Sequence, residues 1–255
     1  MHNSAEFVAP LKQATFVFID GGRQWRLADA YLGTRMEREL RNVLKRGGVI
    51  GGSSAGASIL ASYLVRGDPK SPEVTMAKSH ERGFGFIPNS AIDQHVSERH
   101  RERDMEPVVA AHPKLLGMGI DPNTIIVVHQ DLLEVLGSGK VTITKAGQQQ
   151  YSLSSGNHFD LRRRKPRRRN YGLNRVASLE ENPTIVCFTL NKASSTLSDP
   201  RGGLWHVLLG AAETVASHTC PTHWREVKPC DSYFEQPSRS GLKCQPLFLY
   251  FRDIC

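Results

Sequence analysis

The sequence predicts an α/β fold in which a mostly parallel sheet is flanked by helices. Three observations carry this expectation. Short runs of β-branched and aromatic residues alternate with helical segments through residue 128. Glycine pairs at 21–22, 47–48 and 51–52 punctuate those runs. The pentapeptide Gly52-Ser53-Ser54-Ala55-Gly56 lies between a predicted strand and a predicted helix, the kind of junction where parallel sheets place their chemistry.

Taken in order, residues 14–20 (ATFVFID) form an apolar, β-type run that reads as a buried strand ending at Gly21-Gly22. Residues 34–46 read as a helix. Thr34 is its N-cap, Glu37 stands at the capping-box position, and Met36, Leu40, Val43 and Leu44 share one face. Gly47-Gly48 end it. Val49-Ile50 read as a short strand, and ASILASYLV (57–65) as a helix buried on most sides. Residues 84–94 read as loop then strand, and 97–112 as a charged helix. LLGMGID (115–121) and TIIVV (124–128) look like strands meeting at a turn, and 132–145 like a hairpin turning at Gly137-Ser138-Gly139.

Beyond residue 155 the order fades. RRRKPRRR (162–169) reads as a solvated cationic loop or tail. TIVCFTL (184–190) and LFLYF (247–251) are candidate strands, and LWHVLLGAAETVAS (204–217) is a candidate helix. Charge changes at the same place. Residues 1–160 hold 18 Lys and Arg against 17 Asp and Glu, whereas 161–255 hold 15 against 8, so the net charge of +8 belongs mainly to the second stretch. All five cysteines also follow residue 186. The expected organisation is therefore a catalytic α/β domain over 1–160 and a divergent basic, cysteine-containing region over 161–255.

No stretch approaches the roughly 18 apolar residues of a membrane span. The first residues lack the basic flank, apolar core and cleavage site of a signal peptide. A cytoplasmic location and no membrane partner are the expectation. Cys220, His223, Cys230 and Cys244 have poor spacing for zinc, so no metal and no cofactor are expected. The cationic run lacks interleaved aromatics apart from Tyr171, which argues against a nucleic-acid partner.

Gly52-Ser53-Ser54-Ala55-Gly56 fits G-x-S-x-G, the turn that presents a nucleophilic serine between strand and helix. A phosphate loop of Walker type is disfavoured because no lysine follows the glycine. Serine needs a base. His95 lies just past a predicted strand end, while His80, His100, His112 and His129 compete with it. An α/β-hydrolase esterase is a further reading, but that fold places its histidine last and far downstream; His95 follows Ser54 by only 41 residues.

Three segments together, GGSSAGAS, GFGFIPNSAIDQHVSERHRERD and LLGMGIDPNTIIVV, resemble the cyanophycinase and aspartyl dipeptidase (peptidase E) family of serine peptidases. The resemblance covers roughly residues 14–165. It implies a class I glutamine amidotransferase-like, flavodoxin-like fold. It also implies Ser54 as nucleophile, His95 as general base, and the N–H groups of Ala55 and of Gly21 or Gly22 (Gly22 preferred) as the oxyanion hole. Gln24, Asp93, Gln94, Arg99 and Arg101 fall at the substrate-pocket positions. The implied substrates are aspartyl-linked peptides, such as a β-Asp-Arg polymer or Asp dipeptides. In that setting the arginines bind a substrate carboxylate and Asp93 pairs with a substrate guanidinium. A homodimer is also compatible with the resemblance.

Departures from the family pattern accompany the match. Where the family reads GIDE and uses the glutamate to orient the histidine, this chain has Pro122. Asp121 beside it is the candidate acid, although adjacent strand residues point to opposite faces; Glu98 is the other carboxylate in reach. The family's third pocket arginine aligns with Asp104. Only about fourteen residues precede the first strand, as in an N-terminally truncated member. A homologue with impaired catalysis, retained as a binding protein or without function, is therefore the alternative to an active peptidase.

Overall fold

The computed structural model describes residues 4–167, 184–189 and 247–251, and its framework is a pair of mixed sheets with short helices around them. The eight-stranded sheet contains β1 (Ala14–Ile19), β2 (Val49–Ser53), β6 (Thr124–His129), β7 (Leu132–Gly137), β10 (His158–Asp160), β11 (Lys165–Arg167), β12 (Thr184–Thr189) and β13 (Leu247–Phe251). Their order is β11-β10-β7-β6-β12-β2-β1-β13. The five-stranded sheet has β3 (Ala61–Tyr63), β4 (Ile87–Gln94), β5 (Leu116–Ile120), β8 (Lys140–Thr144) and β9 (Tyr151–Ser154), ordered β3-β4-β5-β8-β9. The strands that position the site pair in parallel: β12, β2, β1 and β13 in one sheet, and β3, β4 and β5 in the other. The remaining pairs are antiparallel.

Helix α1 (Ala5–Val8) and a 3-10 turn at Ala9–Lys12 precede β1, and helix α2 (Gln24–Tyr31) follows it. The sequence reading assigned neither helix. Helix α3 (Arg35–Lys45) forms as its pattern requires. Thr34 Oγ1 accepts from the Glu37 N–H at 3.5 Å, and Glu37 Oε2 reaches back to the N–H of Gly33 at 2.7 Å. Its Met36, Leu40, Val43 and Leu44 are buried in one core with Val17, Ile19 and Ile50. Full burial of a side chain such as Leu40 stabilises by about 1.5–3 kcal/mol. Arg41 and Arg82 hold the buried Glu37 carboxylate at 2.8 and 3.1 Å.

Several local expectations give way to long-range pairing. The expected helix over 57–65 is only α4 (Ala55–Ser58), after which the chain becomes β3. The carbonyls of Ile59, Leu60 and Ala61 accept from the N–H groups of Phe84, Phe86 and Gly85, so a distant segment supplies the partners that further helix would have supplied internally. The expected hairpin over 132–145 is not a paired ladder: β7 pairs with β6 and β10, while β8 pairs with β5 and β9. The chain changes sheets at that turn, and it changes again between β5 and β6. The expected helix over 97–112 is a 3-10 turn at Ser97–Arg99, a left-handed residue at His100, and helix α5 (Met105–Ala111).

The stretch after residue 160 contributes strands to the same sheet as the stretch before it. β12 lies between β2 and β6, and β11 extends the edge through β10. Part of the cationic run is thus an exposed strand rather than a loop. The candidate helix at 204–217 and the cysteines at 220, 230, 244 and 255 lie outside the described residues. Cys187, on β12, is buried and free.

Candidate active site

Ser54 sits where β2 passes into α4, with φ 51° and ψ −118°. That conformation is strained for a residue with a Cβ, and it thrusts the side chain out of the turn. The flanking glycines are required by contact. A Cβ on Gly52 would lie 2.3 Å from the Gly56 carbonyl oxygen, and one on Gly56 would lie 2.0 Å from that of Ile19. Both are backbone carbonyls, one in α4 and one in β1, so the turn closes only around glycine.

His95 stands just past the end of β4, also at positive φ (58°). Its Nε2 is 3.0 Å from Ser54 Oγ. Its Nδ1 is 3.2 Å from Oε2 of Glu98. The pair of contacts fits the tautomer with the proton on Nδ1, which leaves Nε2 free to accept the serine proton. The His95 side chain is 13% exposed. Burial pushes its pKa below the usual imidazole value; Arg99 and Arg101 push the same way, and Glu98 pushes back. The shift favours the neutral ring, the state a base needs.

The acid expected at Asp121 is placed elsewhere. Asp121 is buried, and its Oδ1 accepts the N–H of Ser97 at 3.1 Å. It holds the start of the 3-10 turn on which Glu98 rides, so Glu98 is the carboxylate at the histidine. The reason is the turn: φ of 58° at His95 and 54° at His100 fold residues 95–100 tightly, which brings Glu98 back under the ring. Pro122 occupies the β5–β6 connection, its carbonyl accepting from Thr124 Oγ1.

Around the Ser54–His95 pair, Gly21 packs on the serine: a Cβ there would be 3.1 Å from Ser54 Cβ. The Gly21 N–H is taken by Asp20 Oδ1 at 2.7 Å. Gly22, at φ 129°, is the neighbouring backbone donor. In α4 the first N–H with a backbone acceptor is that of Ala57, so the donor of Ala55 is not used by the helix. Gln24 opens α2, which packs against α4, and is half-buried.

The remaining pocket candidates divide. Arg99 is exposed near His95. Arg101 is buried; it donates to Glu73 Oε1 at 2.9 Å, and its Nε has no partner among the described residues. Gln94 is buried and turned toward the other sheet, where its Oε1 accepts from Thr189 Oγ1 of β12. Its Nε2 has no partner among the described residues.

Asp93 corrects the expectation that it waits for a substrate guanidinium. Both of its oxygens already take Arg66, through Nε and one terminal nitrogen, each at 2.8 Å. The same terminal nitrogen reaches Asp104 at 2.6 Å. Sequence reasoning singled out neither Arg66 nor Glu73, since nothing in SYLVRGD or SPEV carries a motif. Among the described residues no group of three or more metal-ligating side chains is gathered, and no helix is long and apolar enough to cross a membrane.

A strained serine on a strand-to-helix turn, hydrogen-bonded to a histidine that a carboxylate backs, is the arrangement of serine hydrolases. The model of peptidase family S51 matches residues 1–136, and the chain belongs to that family. It is 34% identical over 149 residues to a cyanophycinase of Geminocystis herdmanii, covering 56% of this chain and 53% of that protein. It is 36% identical over 147 residues to a cyanophycinase of a Nostoc species, covering 55% and 48%. The chain thus spans about half the length of the curated relatives it matches. Among solved structures it resembles a peptidase from an acI-B1 Actinobacterium, with a TM-score of 0.50, 25% identity, and coverage of 62% of this chain and 64% of that one.

Proposed function

We propose that this chain is a serine peptidase acting on aspartyl-linked peptides, with Ser54 as nucleophile, His95 as general base and Glu98 in the place of the triad acid. One observation carries the reading: the continuous contact from Ser54 Oγ to His95 Nε2 at 3.0 Å and from His95 Nδ1 to Glu98 at 3.2 Å.

In the proposed reaction His95 Nε2 takes the Ser54 proton as Oγ attacks the peptide or isopeptide carbonyl. The N–H groups of Ala55 and Gly22 receive the negative charge that develops on the carbonyl oxygen. Glu98 holds the ring and stabilises the imidazolium. His95 then protonates the leaving amine, the C–N bond breaks, and an ester to Ser54 remains. Water, deprotonated by His95, attacks that ester and restores the serine. Arg99 and Arg101 supply the positive field for a substrate carboxylate.

The test is amine release from β-aspartyl dipeptides by the folded chain beside Ser54→Ala. Turnover that disappears with the hydroxyl is expected. Release that persists in Ser54→Ala would sink the assignment, and folded wild-type protein without turnover would place the chain among impaired homologues.

A further inference from the structure

Asp93 is the penultimate residue of β4, two before His95, so whatever holds its carboxylate fixes the strand end that carries the catalytic histidine. The holder is Arg66, from the loop after β3. Its guanidinium meets both carboxylate oxygens in the fork geometry that is strongest for this pair. The two side chains are 1% and 3% exposed. A third acceptor, the Pro72 carbonyl, takes the other terminal nitrogen at 2.9 Å, and Asp104 adds a second carboxylate. Asp93 Oδ1 further accepts the N–H of Gln94 at 2.9 Å. The Asp93 carboxylate is satisfied from within the chain.

We propose that Arg66 is a specificity-determining residue: by occupying Asp93 it excludes cationic leaving groups, so the chain selects aspartyl peptides whose leaving amine carries a neutral side chain. This rests on the peptidase reading above and narrows its substrate class. A guanidinium or ammonium on the substrate finds Asp93 already neutralised. To use it, the substrate must displace Arg66 from Asp93, which breaks a buried fork and sets a second cation against a guanidinium still held by Asp104. The neighbouring Arg101 guanidinium, itself buried, adds a like charge against such a ligand. Asp104 makes displacement harder, because it holds the same terminal nitrogen of Arg66 that Asp93 does. A neutral leaving group requires none of these exchanges.

The experiment compares β-aspartyl-leucine with β-aspartyl-arginine. Hydrolysis of each by the wild-type full chain is measured as kcat/KM, and binding of each to Ser54→Ala by calorimetry. The leucine dipeptide is expected to win by about tenfold or more in both, the scale set by unpairing a buried charge. The ratio should invert in Arg66→Met/Asp104→Ala, which frees Asp93 while leaving the net charge unchanged. Arg66→Lys, which keeps the charge but loses the fork, should move the ratio partway and serves if the double variant does not fold. Equal or better use of the arginine dipeptide by wild type would overturn the proposal while leaving the peptidase reading intact. So would a ratio unmoved in folded variants, which would make Arg66 structural only. Failure of wild type to hydrolyse either dipeptide would instead bring down the peptidase reading, and this inference with it.

Discussion

His95 Nδ1 and Glu98 Oε2 are 3.2 Å apart across one tight turn, so the imidazole and the carboxylate behind it come from the same few residues of chain. Asp121, just past the end of β5, has no hydrogen bond to either among the described residues; it accepts the N–H of Ser97 and thereby holds that turn in place. The pairing is local, and its strength depends on the turn rather than on the packing of two sheets.

Replacing Glu98 with Gln should lower kcat with little change in KM. The template loss for an uncharged triad acid is about 10⁴-fold. Glu98 is partly exposed, so a fall of about 10²–10⁴ is expected. Because Glu98 raises the His95 pKa, its removal should also move the acid limb of the kcat profile to lower pH. A pH–rate profile of folded E98Q matching wild type in height and position would exclude the role.

Arg99→Gln should act in the opposite direction. Arg99 depresses the His95 pKa, second to burial, so its loss lets the pKa rise toward the ordinary value of about 6.5, and the acid limb follows. His95 binds its proton less readily folded than unfolded, so its contribution to stability is full above the unfolded pKa and is lost as pH falls through the depressed folded one. Titration of the ring by NMR in R99Q checks the shift independently of turnover.

The backbone of Ser54 at φ 51° predicts a divergence in stability between two variants. Ser54→Ala keeps the strain, whereas Ser54→Gly releases about 1–3 kcal/mol of it against about 0.5–1 kcal/mol of glycine entropy. Ser54→Gly should therefore be the more stable by about 1 kcal/mol, or a few degrees in Tm. Thermal unfolding that ranks them the other way would show that the turn is not strained.

Gly56→Ala should cost more than about 3 kcal/mol or prevent folding, because its Cβ would meet a strand carbonyl at 2.0 Å. Denaturant unfolding or soluble yield reads this directly. A stable G56A protein would mean that the elbow does not pack against β1 as described.

Glu37→Gln should destabilise the fold by about 1–2 kcal/mol, because the buried carboxylate gives up charged hydrogen bonds to Arg41 and Arg82, both of which keep contact with solvent. Burial raises the Glu37 pKa, but Arg41, the Gly33 N–H and Arg82 outweigh it and the net direction is down. Its stabilisation is present above the unfolded value, near 4.5, and fades as pH falls through the lower folded value. E37Q should accordingly lose most of its deficit relative to wild type in acid, as urea unfolding at several pH values would reveal.

What could be read in advance was local. The elbow at Ser54 needs only its own glycines and the strand beside it, and α3 needs only its cap and its apolar face. Both are written within a few consecutive residues, and both form where the sequence reading placed them. The short strands 14–19, 49–53 and 124–129 are legible for the same reason.

Pairing was not legible, because hydrogen-bond partners of strands are chosen by tertiary packing. ASILASYLV has the composition of a buried helix, yet it turns into β3 once Phe84–Phe86 take its carbonyls. The chain around 132–145 looks like a hairpin, yet its two strands belong to different sheets. Spacing along the chain was enough to specify the serine turn, the α/β class and the candidacy of His95. Tertiary structure alone decided that His95 meets Ser54, that Glu98 rather than Asp121 lies behind it, and that Arg66 holds Asp93. Those contacts join residues 3 to 41 positions apart, and their geometry depends on where two sheets and a left-handed turn place side chains in space.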